Sequence, residues 1–518
     1  MKRRWVVHPF LFAVSPILFL YSHNVRTLPI ARSELVLPLL AALSVAAVLW
    51  LMLSLILGNR EKAGIITSLG LLTFFLYGHV RAALDSVPGA GQYLDAGWVL
   101  LAVAVLVATV ITRRSLTGTT AVLNVLSAAI LAVNLAPGLT ALLGGRSRSH
   151  ARDGARGSEY RPARPDYPDI YYVILDAYAR SDMLKKYFAH DNSGFDSLLA
   201  AREFRVLSRS RSNYAQTYLS LASSLNWCYL DSIAALEGPD SKNQSPLLEL
   251  IGRSRLAEFL KHHGYTVISF ASGYTGTDLE DADIHLAPTW ALSEFQDLLL
   301  STTILPRLLG ERMNLIRDES HRARVRYTLR TIPIAARNRH PAFVFAHIVS
   351  PHTPFVFDAQ GKRPHIVPYL RINQTGTQRQ VSRTELAKWY VANYGPQVSY
   401  LNRMVGEMVD RIRAGSLRPA VIIIQGDHGA GEILQRVESD QDQLARRHAI
   451  LNAICAPQSA VFYDSITPVN TFRILLPELF DTALALLPDR SCFSTLLFPY
   501  RFEEIGNKRG DTARQGQP

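Results

Sequence analysis

Val421-Ile422-Ile423-Ile424-Gln425-Gly426-Asp427-His428-Gly429 is the stretch that decides the fold. Its unbroken run of branched apolar residues predicts a strand, Val421–Ile424, buried on both faces, as at the centre of a parallel sheet. The polar residues after it fall where open α/β sheets gather their ligands, beyond the carboxyl end of a strand. Asp427 offers a hard oxygen and His428 an imidazole nitrogen. Gly426 and Gly429 flank them and allow a tight turn, so that both side chains can face one ion.

Two further runs follow the same plan. Tyr171–Leu175 predicts a strand that delivers Asp176. Phe343–Val349 predicts one that delivers Ser350-Pro351-His352-Thr353-Pro354-Phe355. Pro246–His262 predicts a helix, and His263-Gly264-Tyr265 leads into a strand over Thr266–Ala271. Short apolar runs alternating with amphipathic stretches indicate a sheet covered by helices. Taken singly, Asp176 reads as a cap or turn residue and His352 as a rigid-loop histidine. Together with Asp427 and His428 they form a candidate site, whose mixture of carboxylate and imidazole suits one divalent metal, zinc or manganese, better than calcium.

Upstream the composition changes. Before Gly145 charges are scarce, and five apolar stretches (Trp5–Ser22, Leu35–Leu57, Ala63–Val80, Ala96–Thr112 and Thr119–Leu143) approach the ~20 residues that span a hydrocarbon core. Trp5–Ser22 is interrupted by Pro9, Pro16 and His8, and with Lys2, Arg3 and Arg4 before it has the look of a signal peptide. Four spans come after it, which favours a true first helix. Lys2, Arg3, Arg4, Arg60, Lys62, Arg113 and Arg114 fall on one side of a five-span bundle, so that side is expected to be cytoplasmic, although Arg26, Arg32 and Arg81 lie on the other. An odd number of spans places the C-terminal domain on the extracytoplasmic side of the cytoplasmic membrane. The expected domains are 1–143 (membrane), 144–167 (a basic Gly/Ser/Arg-rich linker), 168–505 (α/β) and 506–518 (a disordered tail).

The 55 Lys and Arg against 43 Asp and Glu give a net charge of +12, but the positive residues are scattered and no nucleic-acid motif accompanies them. Basic clusters beside apolar stretches favour lipid headgroups instead. Cys228, Cys455 and Cys492 fit no zinc spacing and read as small buried residues. The Asn-x-Ser/Thr sequences at Asn243 and Asn373 read as ordinary loops.

The pieces Val173-Ile174-Leu175-Asp176, Ser350-Pro351-His352-Thr353-Pro354-Phe355 and Gly426-Asp427-His428-Gly429 resemble the motifs of the sulfatase-like branch of the alkaline phosphatase superfamily. A multi-span membrane part with a soluble domain behind it is similar to lipoteichoic acid synthase and the lipid A phosphoethanolamine transferases. The resemblance implies a mixed, mostly parallel central sheet in an alkaline-phosphatase-like domain. It implies a metal held by Asp176, Thr217, Asp427 and His428, with Thr217 as nucleophile and Ser220 as runner-up. His352 is implied to hold the substrate phosphate or the leaving group. Arg447 and His448, before a strand-like run at Ala449–Ala456, either add charge near the substrate or lie on the surface. Sulfatases make their nucleophile in a Cys/Ser-x-Pro-x-Arg motif. Here Cys228 is followed by Tyr229-Leu230-Asp231, which argues against sulfuric-ester hydrolysis. Asp176 is followed by Ala177, so the paired acids of two-metal members are absent. The implied activity is transfer of a phospho-substituted headgroup from a lipid donor to an envelope acceptor through phosphothreonine. Its rivals are a phosphodiesterase or phosphonate hydrolase on a soluble substrate and a non-catalytic envelope scaffold.

Overall fold

The computed structural model describes residues 5–24, 33–84, 87, 90–144, 164, 166–364, 383–416, 420–431 and 441–505. Most of the expected linker, the tail, Asn373, Lys2, Arg3, Arg4, Arg26 and Arg32 lie outside the described residues. In chain order the elements begin with α1 (His8–Asn24), α2 (Ser33–Leu57), α3 (Arg60–Leu84), α4 (Ala90–Ile111), α5 (Thr117–Gly144), β1 (Ile170–Leu175), α6 (Ser181–Phe188), α7 (Ser193–Ala200), β2 (Arg205–Val206) and α8 (Thr217–Leu225). They continue with α9 (Asp231–Glu237), α10 (Ser245–Gly252), α11 (Arg255–His262), β3 (Thr266–Phe270), β4 (Ile284–Leu286), α12 (Glu294–Thr302), α13 (Leu305–Leu309), α14 (Glu311–Ala335) and β5 (Ala342–Ile348). The last are α15 (Arg383–Gly415), β6 (Val421–Gly426), α16 (Gln441–His448), β7 (Asn452–Cys455), α17 (Pro468–Leu479), β8 (Cys492–Thr495) and β9 (Phe498–Glu504).

These elements form two compact units. The first comprises Met1–Arg156, Leu292–Arg317 and Arg371–Arg379. It is membrane-spanning: Glu34–Leu57, Arg60–Leu84, Tyr93–Ile111 and Thr117–Leu135 are long and apolar enough to cross a bilayer, with mean hydropathy from 1.5 to 2.6. Hydropathy predicts five spans, and the first is the one that falls short. α1 has only 17 residues, about 25 Å of helix. It packs against α5, α2 and α3. At its start the Asn124 side chain of α5 accepts from the Val7 and His8 amides at 3.1 and 2.9 Å. Near its far end Tyr21 meets Phe295 edge-on.

The second unit comprises Gly157–Ala291, Asp318–Leu370 and Gln380–Pro518. Its seven-stranded sheet has the order β2-β7-β6-β1-β5-β3-β4. The five strands from β6 to β4 are parallel, β7 runs against them, and β2 pairs antiparallel with β7 and so runs in the direction of the five. This is the mixed, mostly parallel sheet that the apolar runs predict. β1 is buried throughout and alternates its allegiance. Tyr171, Val173 and Leu175 join a core with residues of α14 and α15, whereas Ile170, Tyr172 and Ile174 join one with residues of α8, α11 and α17. The predicted helix Pro246–His262 is two helices, because Ser254 turns extended and its hydroxyl accepts from the Ala257 amide at 3.2 Å, capping α11. The strand at residue 421 continues through Gln425 and Gly426. The three cysteines are free thiols.

Candidate metal centre

Register brings the site together. Leu175 at the end of β1 pairs with Ile348 of β5 on one side and Gly426 of β6 on the other, so three strand ends are level. Asp176 and Asp427 follow two of those ends directly. The third contribution is a residue that the sequence reading passes over: His347, inside β5. Ligand atoms of Asp176, His347 and Asp427 lie within 4.8 Å of one another, and all three residues are buried. A histidine in an otherwise apolar buried strand is costly unless something receives it, and that cost was the available signal.

Three buried atoms here, Asp176 Oδ1, Asp427 Oδ2 and His347 Nε2, have no hydrogen-bond partner among the described residues. Their nearest approaches are too long to count as good hydrogen bonds. His347 Nε2 stands 3.4 Å from Asp176 Oδ2, and His428 Nε2 stands 3.5 Å from Asp176 Oδ1 and 3.4 Å from Asp427 Oδ2. The far sides of Asp427, His347 and His428 are well held. Asp427 Oδ1 accepts from the Ala177 and His428 amides at 2.9 and 2.8 Å. His347 Nδ1 donates to Thr277 Oγ1 at 2.8 Å, and the Thr277 hydroxyl donates in turn to the Tyr274 carbonyl at 2.9 Å. His428 Nδ1 lies 3.0 Å from the Gly429 carbonyl oxygen and 3.1 Å from Arg447 Nη1. A proton on His347 Nδ1 leaves its Nε2 lone pair directed inward, the tautomer that metal-binding histidines adopt.

Burial would push the Asp176 carboxyl up. The facing imidazoles of His352, His347 and His428 outweigh it and hold the group below the usual carboxylate range. His347 loses by burial but gains more from Asp176, with Asp427 and Asp278 adding to it, so its pKa is raised. His428 is lowered, by burial first and then by the neighbouring Arg447. The site therefore presents an ionised Asp176 carboxylate to whatever occupies it.

Thr217 opens α8 and is almost fully buried. Its Oγ1 lies 3.3 Å from His428 Nε2, at the edge of the cluster. Ser220, one turn on, donates to the Asp427 carbonyl at 2.6 Å and so supports the Asp427 loop. His352 contributes its amide to the Asp176 carbonyl at 3.0 Å, and its Nδ1 donates to the Thr353 carbonyl at 2.7 Å. Its ring centre is 6.3 Å from that of His428. The loop that carries it is held by a second residue absent from the sequence reading, fully buried Gln397. Gln397 accepts from the Val356 and Phe357 amides at 2.8 and 3.1 Å and donates to the Pro351 and His352 carbonyls, both at 3.2 Å.

Arg447 and His448 are both buried. Arg447 donates to the Gly429 carbonyl at 2.7 Å and also reaches the Ala215 carbonyl, two residues before Thr217. It thereby ties the loop after β6 to the approach of α8. His448 is pushed down to about 4, chiefly by burial, and its Nδ1 donates to the Leu444 carbonyl at 2.8 Å. Gly426 and Gly429 are glycines for want of space. A Cβ on Gly426 would lie 2.6 Å from the Tyr178 carbonyl oxygen, and one on Gly429 would lie 2.0 Å from that of Arg446.

The orphaned atoms test the metal expectation. Two carboxylates, two imidazoles whose Nε2 atoms face them and a hydroxyl form a donor set that fits one divalent cation. Residues 207–444 match the family model described as Sulfatase. The chain carries a sulfatase-family domain. The match takes in Thr217, His347, His352, Asp427 and His428, and Asp176 precedes it. No curated protein matches the chain. Among solved structures, the integral membrane lipooligosaccharide phosphoethanolamine transferase A of Neisseria meningitidis is 12% identical, covering 91% of this chain and 97% of that one at a TM-score of 0.38. The C-terminal periplasmic domain of EcEptC from Escherichia coli, in complex with Zn, is 11% identical over 56% of this chain and 73% of its own (TM-score 0.35). The phosphonate monoester hydrolase of Agrobacterium radiobacter is 12% identical over 60% and 73% (TM-score 0.40). These likenesses are distant, and the chemistry of the sulfatase-family domain rests on its own side chains.

Proposed function

We propose that this sulfatase-family chain is a membrane-bound, metal-dependent transferase of phosphate esters that works through a phosphothreonine at Thr217. The observation that carries this is the Thr217 hydroxyl, at a helix start and 3.3 Å from His428 Nε2 beside orphaned carboxylate oxygens. Asp176, Asp427, His428 and Thr217 would hold the cation, with His347 as a further ligand. A divalent cation there supplies charge neutralisation for the phosphate and lowers the pKa of a bound hydroxyl. The free amides at the start of α8 would favour an incoming phosphate. The Thr217 hydroxyl gives up its proton to solvent as the Oγ1–P bond forms and the bond from phosphorus to the leaving oxygen breaks. His352, protonated at Nε2, supplies that oxygen with its proton. An acceptor hydroxyl then repeats the exchange and releases Thr217.

A lipid donor or acceptor is suggested by the first unit, which is far larger than a simple tether requires. The extracytoplasmic placement is supported by that unit's own geometry. Leu292–Arg317, a segment that comes after β4 in the chain, rests on the ends of α1 to α4 opposite Arg60, Lys62, Arg113 and Arg114. The test is to incubate the purified full chain with membrane lipids labelled in the headgroup phosphate and map the label. Label on Thr217 that vanishes in Thr217→Ala supports the proposal. No label in the wild type, or equal label in the variant, overturns it. Turnover of small soluble diesters without any lipid would point to the hydrolase instead.

A further inference from the structure

In the first unit, Leu292–Arg317 comes from far along the chain and docks on the membrane helices. Every contact falls at one end of the bundle. Ser293 Oγ donates to Glu34 in the first turn of α2 at 2.5 Å. The Ile304 amide donates to the Phe74 carbonyl of α3 at 3.0 Å. Arg307 Nε donates to Asp95 near the start of α4 at 2.8 Å, and Tyr77 of α3 donates to the other Asp95 oxygen at 2.5 Å. Phe295 and Leu299 are buried in one core with Ile17, Leu20, Leu71 and Phe75. Gly78 permits the approach, because a Cβ there would lie 2.7 Å from the Thr302 backbone.

Large apolar side chains of the segment are uncovered, beside exposed Glu311 and Arg312. Leu308 is 68% exposed, Ile316 45% and Leu315 42%. Exposure of this kind on a helix docked at the mouth of a membrane bundle has one natural covering. The bundle's lipid-facing side chains, such as Leu51 at 57%, are exposed in the same way. Two of the segment's three arginines are engaged internally, Arg307 with Asp95 and Arg317 with Asp297, so headgroup charge is not the attraction. We infer that α12, α13 and the first turns of α14 form an interfacial lipid-binding surface, with Leu308, Leu315 and Ile316 inserted among the acyl chains of the leaflet at that end of the bundle. This goes beyond the phosphotransfer proposal and does not depend on it. The chain that builds the sulfatase-family domain would be bound to the membrane twice, through α5 before it and through Leu292–Arg317 within it.

The test uses the full chain in phosphatidylcholine vesicles. p-Benzoylphenylalanine is placed by amber suppression at Leu308, at Leu315 and, as the lipid-facing reference, at Leu51. After irradiation, lipid adducts are counted by intact mass. Yields at 308 and 315 within about threefold of that at 51 are expected of acyl-chain insertion. Yields at both positions below about a tenth of the reference overturn the inference. Size-exclusion elution of each variant before irradiation shows that it is folded, and Ile316 replaces any position whose variant is not.

Discussion

Two carboxylate clusters in the second unit, one around half-buried Asp489 and one around buried Asp176 and Asp427, differ in how their oxygens are partnered. Around Asp489 every oxygen has a partner. Oδ1 accepts from the Thr467 amide, the Thr467 hydroxyl and Asn470 Nδ2 at 2.9, 2.6 and 3.0 Å, and Oδ2 accepts from the Tyr463 hydroxyl at 2.5 Å. Around Asp176 and Asp427 one oxygen of each is left without a hydrogen bond among the described residues, and the His347 Nε2 that faces them shares that condition. A saturated carboxylate has spent its acceptor capacity on the fold. An unsaturated one, held rigidly from behind by amides, is desolvated at a cost of about 1–3 kcal/mol that only a ligand recovers. The contrast separates a structural knot from a site.

Substitutions can break that contrast. Thr217→Ala should produce the largest change, a fall in phosphate transfer of about ten-thousandfold or more, with the metal retained, as read by kcat/KM beside metal content. A variant that keeps a tenth of the activity would remove Thr217 as nucleophile. His347→Ala should weaken metal affinity by about a hundredfold, and Thr277→Val, which removes only the partner of Nδ1, by about tenfold. Competition with a chromogenic chelator measures both, and an unchanged affinity in His347→Ala would confine that residue to packing. Asp489→Ala should cost about 2–4 kcal/mol in denaturant unfolding of the second unit and leave metal affinity alone. Asp427→Asn sharpens the comparison from the other side. The amide keeps the Oδ1 acceptor, so metal-free stability should move by less than about 1 kcal/mol while metal binding is lost.

Much of this was legible in the chain because the chemistry sits at strand ends. The apolar runs before Asp176 and Asp427 mark central strands, and parallel pairing with a common register does the rest. Thr217 needed the resemblance, since a threonine at a helix start is ordinarily a cap. His347 was hidden because a hydropathy reading treats β5 as one buried run and gives no weight to a single imidazole within it. Gln397 and Arg447 act through loops that are close only after folding: Gln397 lies on α15, far from the His352 loop in sequence, and Arg447 reaches back across 232 residues to Ala215. The excursion of Leu292–Arg317 into the membrane unit was not legible either. Its amphipathic pattern fits a helix on a soluble sheet just as well, and only the partners of Phe295 and Leu299 distinguish the two.

Elemental analysis of the purified full chain, set beside that of Asp427→Asn, tests the central claim most directly. One divalent cation per wild-type chain, absent from a variant that unfolds at the same denaturant midpoint as the metal-free wild type, is the predicted result. A wild-type chain that transfers phosphate without bound metal, or an Asp427→Asn chain that keeps its full complement, would contradict it.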